Sequence, residues 1–123
     1  MNKYKQEYLR YRHILGFQKS KKYLKWVKEK YPNKDLHHLL GSVKGKKYTD
    51  YLVYPFEHNY HLNVVEKQKA YYFCNYKDKA ISLFTDYVES ELKIEIDYTK
   101  YVDYFDDPET LKEFFEFIKE HEG

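Results

Sequence analysis

The sequence predicts a mainly helical α+β fold, in which helices flank a central two-stranded hairpin and the helix that follows it. Three observations lead there. Apolar residues recur at helical spacing near both ends of the 123-residue chain, at Tyr4, Tyr8, Tyr11 and Leu15 and again at Leu111, Phe114, Phe115 and Ile118. Between them, Tyr51-Leu52-Val53-Tyr54 is rich in β-formers and stops at Pro55. With 4 Gly and 3 Pro, the chain lacks the turn residues that an all-β fold of many short strands needs.

The first helix is expected over Tyr4–Leu15, with Gly16 as its terminator. Ser20 reads as the N-cap of a second helix over Lys21–Lys30, which buries Tyr23 or Leu24, Trp26 and Val27 and leaves Lys21, Lys22, Lys25 and Lys28 wet. Tyr31-Pro32 ends it, because a residue before proline resists the helical region. Leu36–Leu40 is a short apolar run broken by two histidines, and Lys44-Gly45-Lys46-Lys47 a basic loop joining it to the strand Tyr51–Tyr54. Glu57–Glu66 reads as a helix with Leu62, Val65 and Val64 inward, and Asp78–Leu92 as one with a core stripe of Ile81, Phe84, Val88 and Leu92. Leu92–Ile96 alternates like a short strand. Asp107 as N-cap and Pro108 at the first helical position open the last helix.

A length of 123 residues fits a single domain, residues 1–123. It divides into a basic helical part (1–34), a central part (35–66) and an acidic helical part (67–123). Aromatic residues make up 20% of the chain, which excludes disorder. The lone Cys74 excludes an internal disulfide framework and any multi-cysteine zinc or iron–sulfur site; in its aromatic stretch it reads as filler. No apolar run reaches the length of a membrane span, and Met1–Glu7 lacks the apolar segment of a signal peptide, so a soluble intracellular protein with no membrane partner is expected.

The net charge of +2 conceals an asymmetry. Met1–Asp50 carries 14 Lys and Arg against 4 Asp and Glu, whereas Tyr51–Gly123 carries 8 Lys against 16 acids. The basic half suits phosphate. The acidic half could cover it, face a basic protein partner, or be solvated surface.

Four of the 6 histidines fall between Leu36 and Leu62: His37-His38, His58 and His61. The order is a histidine pair, a basic loop, a strand, Pro55-Phe56, and a late histidine six residues after the proline. It resembles the HNH, or ββα-metal, nucleases, especially the small phage-type members, over the stretch Leu36–Glu66. The CxxC brace of many members is absent, and where their central Asn or His would stand there is Asp50, with Asn59 as another candidate.

The resemblance implies a ββα-metal finger at residues 35–66 and a DNA endonuclease encoded by a phage or mobile element, working in the cytoplasm of a bacterial host. It implies His38 as general base, with Asp50 as the second catalytic candidate, and His37, His61 and His58 as metal ligands. An imidazole, whose unperturbed pKa is about 6.5, can take up a proton near neutral pH. The implied cofactor is a divalent ion, Mg²⁺ or Mn²⁺ if oxygens complete its shell and Zn²⁺ or Ni²⁺ if several imidazoles do. Lys44, Lys46 and Lys47, together with Lys21, Lys22 and Lys25, are the candidate DNA contacts. Two other readings stay open: a non-enzymatic inhibitor whose acidic end, with 13 acids against 4 Lys from Asp86 to Gly123, mimics nucleic acid, and a nucleic-acid-binding accessory protein.

Overall fold

The structure, a computed structural model, describes residues 2–123. Its helices are α1 (Lys3–Leu15), α2 (Lys21–Lys30), α3 (His58–Asn63), α4 (Lys69–Ser90), α5 (Tyr101–Asp106) and α6 (Pro108–Glu122). Its strands are β1 (Asp35–His38), β2 (Ser42–Val43), β3 (Lys46–Lys47) and β4 (Val53–Phe56), paired as two antiparallel ribbons, β1 with β4 and β2 with β3. The chain is thus mainly helical α+β, with the ribbon and α3 at its centre.

The long helix α4 is the spine. It buries Phe73, Ala80, Ile81, Phe84 and Val88, and α1, α5 and β4 pack against it. Phe84 lies at the middle of an aromatic cluster, its ring centroid 4.7 Å from Tyr51, 5.0 Å from Phe115, 5.3 Å from Phe114 and 5.4 Å from Tyr23. Such contacts add about 0.5–1.5 kcal/mol each beyond the area they bury. That cluster joins α2, α4, α6 and the segment before β4.

The helix starts follow the caps. Ser20 Oγ accepts from Tyr23 N at 3.1 Å, and Asp107 Oδ1 accepts from Glu109 N at 3.1 Å ahead of Pro108. Gly16, at φ 69°, ends α1 in the left-handed region.

Several elements differ from the sequence reading. The second long strand is Val53–Phe56 and runs through Pro55, which stands opposite Leu36. In a two-stranded ribbon each strand keeps a free edge, where the missing proline N–H costs nothing. The expected basic loop is the tight hairpin β2–β3, turning at Lys44 (φ 49°) and Gly45 (φ 78°), the doubly left-handed pair that matches strand twist. Glu57–Glu66 breaks into α3 and a 3₁₀ turn, Val65–Lys67; Val65 is buried, but Leu62 is exposed. Tyr4 is exposed and meets Tyr71 edge-on instead of entering the core. α4 begins nine residues before the expected Asp78, and α5 was not foreseen. Leu92–Ile96 forms no strand: Lys93 turns left-handed at φ 56°, and Ile94 N bonds back to Val88 O at 3.2 Å. No helix among the described residues is long and apolar enough to cross a membrane.

Candidate active site

In the β1–β4 ribbon His37 stands opposite Tyr54 and His38 opposite Val53. A regular strand sends neighbouring side chains to opposite faces. His38 is the last residue of β1, however, and the chain turns there, with Gly41 N donating to His38 O at 2.9 Å. Both rings therefore line one cleft of about 90 Å³, together with Leu36, Gly41, Ser42, Lys47, His61, Glu66 and Lys69. α3 follows β4 after one residue and returns along β1, which sets His61 against His37.

Three ligand atoms converge. His37 Nδ1 lies 3.0 Å from His61 Nε2 and 3.2 Å from Glu66 Oε1, and His61 Nε2 lies 2.8 Å from the same oxygen. Metal–ligand bonds of about 2.1 Å give ligand–ligand edges of about 3.0 Å at right angles and about 3.4 Å at tetrahedral angles. The triangle matches one face of a six-coordinate ion, so His37, Glu66 and His61 could hold a metal.

The outer shell agrees. His61 Nδ1 donates to Asp35 Oδ2 at 2.9 Å, which, with a metal ion between the three side chains, would leave the lone pair of Nε2 for that ion. Hydrogen bonds from His61 and His58 hold the Asp35 carboxyl below its usual range. Burial pushes His37 down to about 4, against the pull of Glu66 and with the help of His61, so its ring is neutral at neutral pH. Burial disfavours the Glu66 carboxylate, but His37, Lys69 and His61 outweigh it and keep its pKa low.

His38 is held separately. Its Nε2 lies 2.7 Å from Asp50 Oδ1, and Asp50 Oδ2 accepts from Ser20 N at 2.8 Å. A carboxylate only accepts, so the proton sits on Nε2 and the lone pair of a neutral ring on Nδ1. That Nδ1 is buried and finds no hydrogen-bond partner among the described residues; the same holds for His37 Nε2. Of the two candidates for the central position, Asp50 is the one on His38.

His58 stands apart from the converging atoms. It begins α3 with its side chain 65% exposed, and its Nδ1 contacts Asp35 Oδ2 at 2.8 Å. Of the six candidate lysines only Lys47 lines the cleft. Lys46 covers Phe17, which stacks on Tyr48, whose ring Arg12 also approaches at 4.3 Å while donating to Ser42 O; this stack pins the β2–β3 hairpin beside the cleft. Lys44 is at the exposed hairpin turn. Lys21, Lys22 and Lys25 lie on α2 and none lines the cleft: Lys22 donates to Glu122 O, and Lys25 faces Glu29.

Glu66, Asp35 and Lys69 escaped the sequence reading. On the continuous helix expected over Glu57–Glu66, Glu66 would point about 140° away from His61. The break at Val64 and the tighter turn after it swing Glu66 back. Compared with known proteins, the chain matches no protein-family model, no curated protein and no solved structure.

Proposed function

We propose that the chain is a metal-dependent nuclease hydrolysing DNA phosphodiesters at this cleft, in the manner of the ββα-metal enzymes it resembles. One observation carries the reading: three converging ligand atoms and the unpartnered Nδ1 of an Asp-held histidine belong to residues lining the same small cleft. A divalent ion on His37, His61 and Glu66 supplies charge stabilisation for the phosphate and the leaving oxygen. His38 Nδ1 takes the proton of the attacking water, while Asp50 fixes the tautomer and stabilises the ring once it is charged. Lys47 and Lys69 offer positive charge to the phosphate from the cleft wall. Two imidazoles and one carboxylate suit Mn²⁺, Ni²⁺ or Zn²⁺ better than Mg²⁺.

The test is plasmid cleavage with each of these ions, paired with calorimetric metal titration. Metal-dependent cleavage that His38→Ala abolishes while metal binding stays intact is the expected result. If wild type neither cuts DNA nor binds any of the four ions, the reading is wrong.

A further inference from the structure

Beyond the cleft, a chain of contacts runs from the last turn of α6 to His38. Glu122 accepts hydrogen bonds from Ser20 Oγ at 2.7 Å and from the hydroxyls of Tyr51 and Tyr87. Burial, with Glu122 beside them, raises the pKa of both tyrosines, so they stay protonated donors. Ser20 Oγ also accepts from Tyr23 N, which fixes the hydroxyl between the start of α2 and Glu122. Ser20 N then donates to Asp50 Oδ2, and Asp50 Oδ1 meets His38 Nε2. The backbone holds the same junction, with Asp50 N on Gln18 O at 2.8 Å and Thr49 N on Gly16 O at 3.1 Å. Ser20 and Asp50 are both buried, so water does not readily replace these bonds.

We infer that Glu122 and Ser20 are positioning residues which, through Asp50, hold the His38 ring in the orientation its role as base requires. The inference rests on the reading of His38 as that base. It gives α6 a second task besides filling the core: its C-terminal turn locks the linker between α1 and α2, and the linker aims Asp50. Lys119, one turn earlier, also reaches the linker through Lys19 O but touches neither Ser20 nor Asp50. It serves as the internal control for mere clamping.

Glu122→Gln, Ser20→Ala, Lys119→Met and Asp50→Asn are compared for kcat, KM, Tm and the ring ¹⁵N shifts of His38, at one pH. Asp50→Asn presents an amide to Nε2 and should move the proton to Nδ1, with kcat falling about 10²–10⁴-fold. Glu122→Gln and Ser20→Ala should each lower kcat about tenfold with little change in KM, and should shift the His38 ring nitrogens. In the Asp50→Asn background the added loss from Glu122→Gln should vanish, because the path to His38 is already cut. Lys119→Met should lower Tm and leave kcat and the ring shifts unchanged. The inference is overturned if Glu122→Gln and Ser20→Ala change Tm alone, as Lys119→Met does, or if their effects persist undiminished beside Asp50→Asn. Should Glu122→Gln fail to fold, Ser20→Ala against Ser20→Thr, which restores the hydroxyl, decides the same point. Should wild type cleave nothing, the nuclease reading falls, and the ring shifts alone decide whether the path to His38 exists.

Discussion

The helical frame and the ββα element inside it are built on opposite terms. The frame buries large aromatic side chains on every long helix, with Tyr11, Tyr23, Phe84 and Phe115 almost fully enclosed. The ββα element has two four-residue strands and a six-residue helix that buries none of its residues. A unit that small cannot hold itself together. It is held by what flanks it: Leu39, Leu40, Tyr51, Leu52 and Val65 all enter the core of the frame. The residues that fill the core and those that line the cleft are therefore largely different. That lets the element spend its polar side chains on a cleft instead of on packing, and His37 Nε2 and His38 Nδ1 are buried there without hydrogen-bond partners among the described residues, as the Tyr23 hydroxyl is in the frame.

The sharpest way to break this contrast is at the frame. Removing residues 107–123 takes away Leu111, Phe115 and Ile118 from the core and should unfold the chain, as read by circular dichroism. The single substitution Phe84→Ala should lower unfolding free energy by about 3–5 kcal/mol in a denaturant titration. It should remove metal binding and cleavage only where the fold is lost. At the cleft the pattern should invert. His38→Ala should cut the cleavage rate about 10²–10⁴-fold, while unfolding free energy falls by only about 1–3 kcal/mol, from the acceptor left unpaired on buried Asp50. A variant of the frame's apolar core, such as Phe84→Ala, that folds fully yet loses cleavage, or a His38 variant that unfolds, would erase the division.

The same division governs what was legible beforehand. Local signals were read well: Ser20 and Asp107 cap the helices they were expected to cap, and His37, His38 and His61 share a cleft. Asp50 could be named for the central position but not chosen over Asn59, because nothing local to it says that His38 lies 2.7 Å away. Glu66 was lost because a helix break reorients it, and such a break is set by what Val65 buries, not by local preference. Leu92–Ile96 shows the opposite error. Its alternation reflects burial of Ile96 and partial burial of Leu92 and Ile94, but a strand also needs a partner backbone, and none lies alongside among the described residues.

At the cleft and beside it, Glu66 and His58 separate the converging group His37, His61 and Glu66 from a set made of the histidines alone. Glu66→Ala should weaken metal binding about 10- to 100-fold in a calorimetric titration, like His61→Ala, with stability nearly unchanged. Equal metal affinity in Glu66→Ala and wild type would return the site to the histidines.

The lysines come next. If DNA lies over the β2–β3 hairpin, replacing Lys44, Lys46 and Lys47 with Gln should reduce the log–log salt slope of DNA binding by up to about three. Replacing Lys21, Lys22 and Lys25, which lie away from the cleft on α2, should change it less. The reverse order would place the backbone on the frame instead of the central element. Binding without salt dependence would remove DNA as the partner and turn attention to a protein partner for the acidic half.

The smallest effect is expected at His58, and it tests the boundary of the site. His58 and His61 both contact Asp35 Oδ2, at 2.8 and 2.9 Å, one turn apart on α3. Only His61 has its other nitrogen within reach of His37 and Glu66. His58→Ala leaves Asp35 bonded to His61, so the orientation of the ligand ring survives. Its own contact is exposed, where such pairs contribute little. Metal affinity and cleavage should therefore stay within about twofold of wild type, and Tm within about 2 °C. Asp35→Ala, which removes the acceptor from both rings, should do more, because His61 then loses the bond that fixes its Nε2 toward the ion. A His58→Ala variant as impaired in metal binding as His61→Ala would show that α3 turns further than its six residues suggest and brings His58 to the metal.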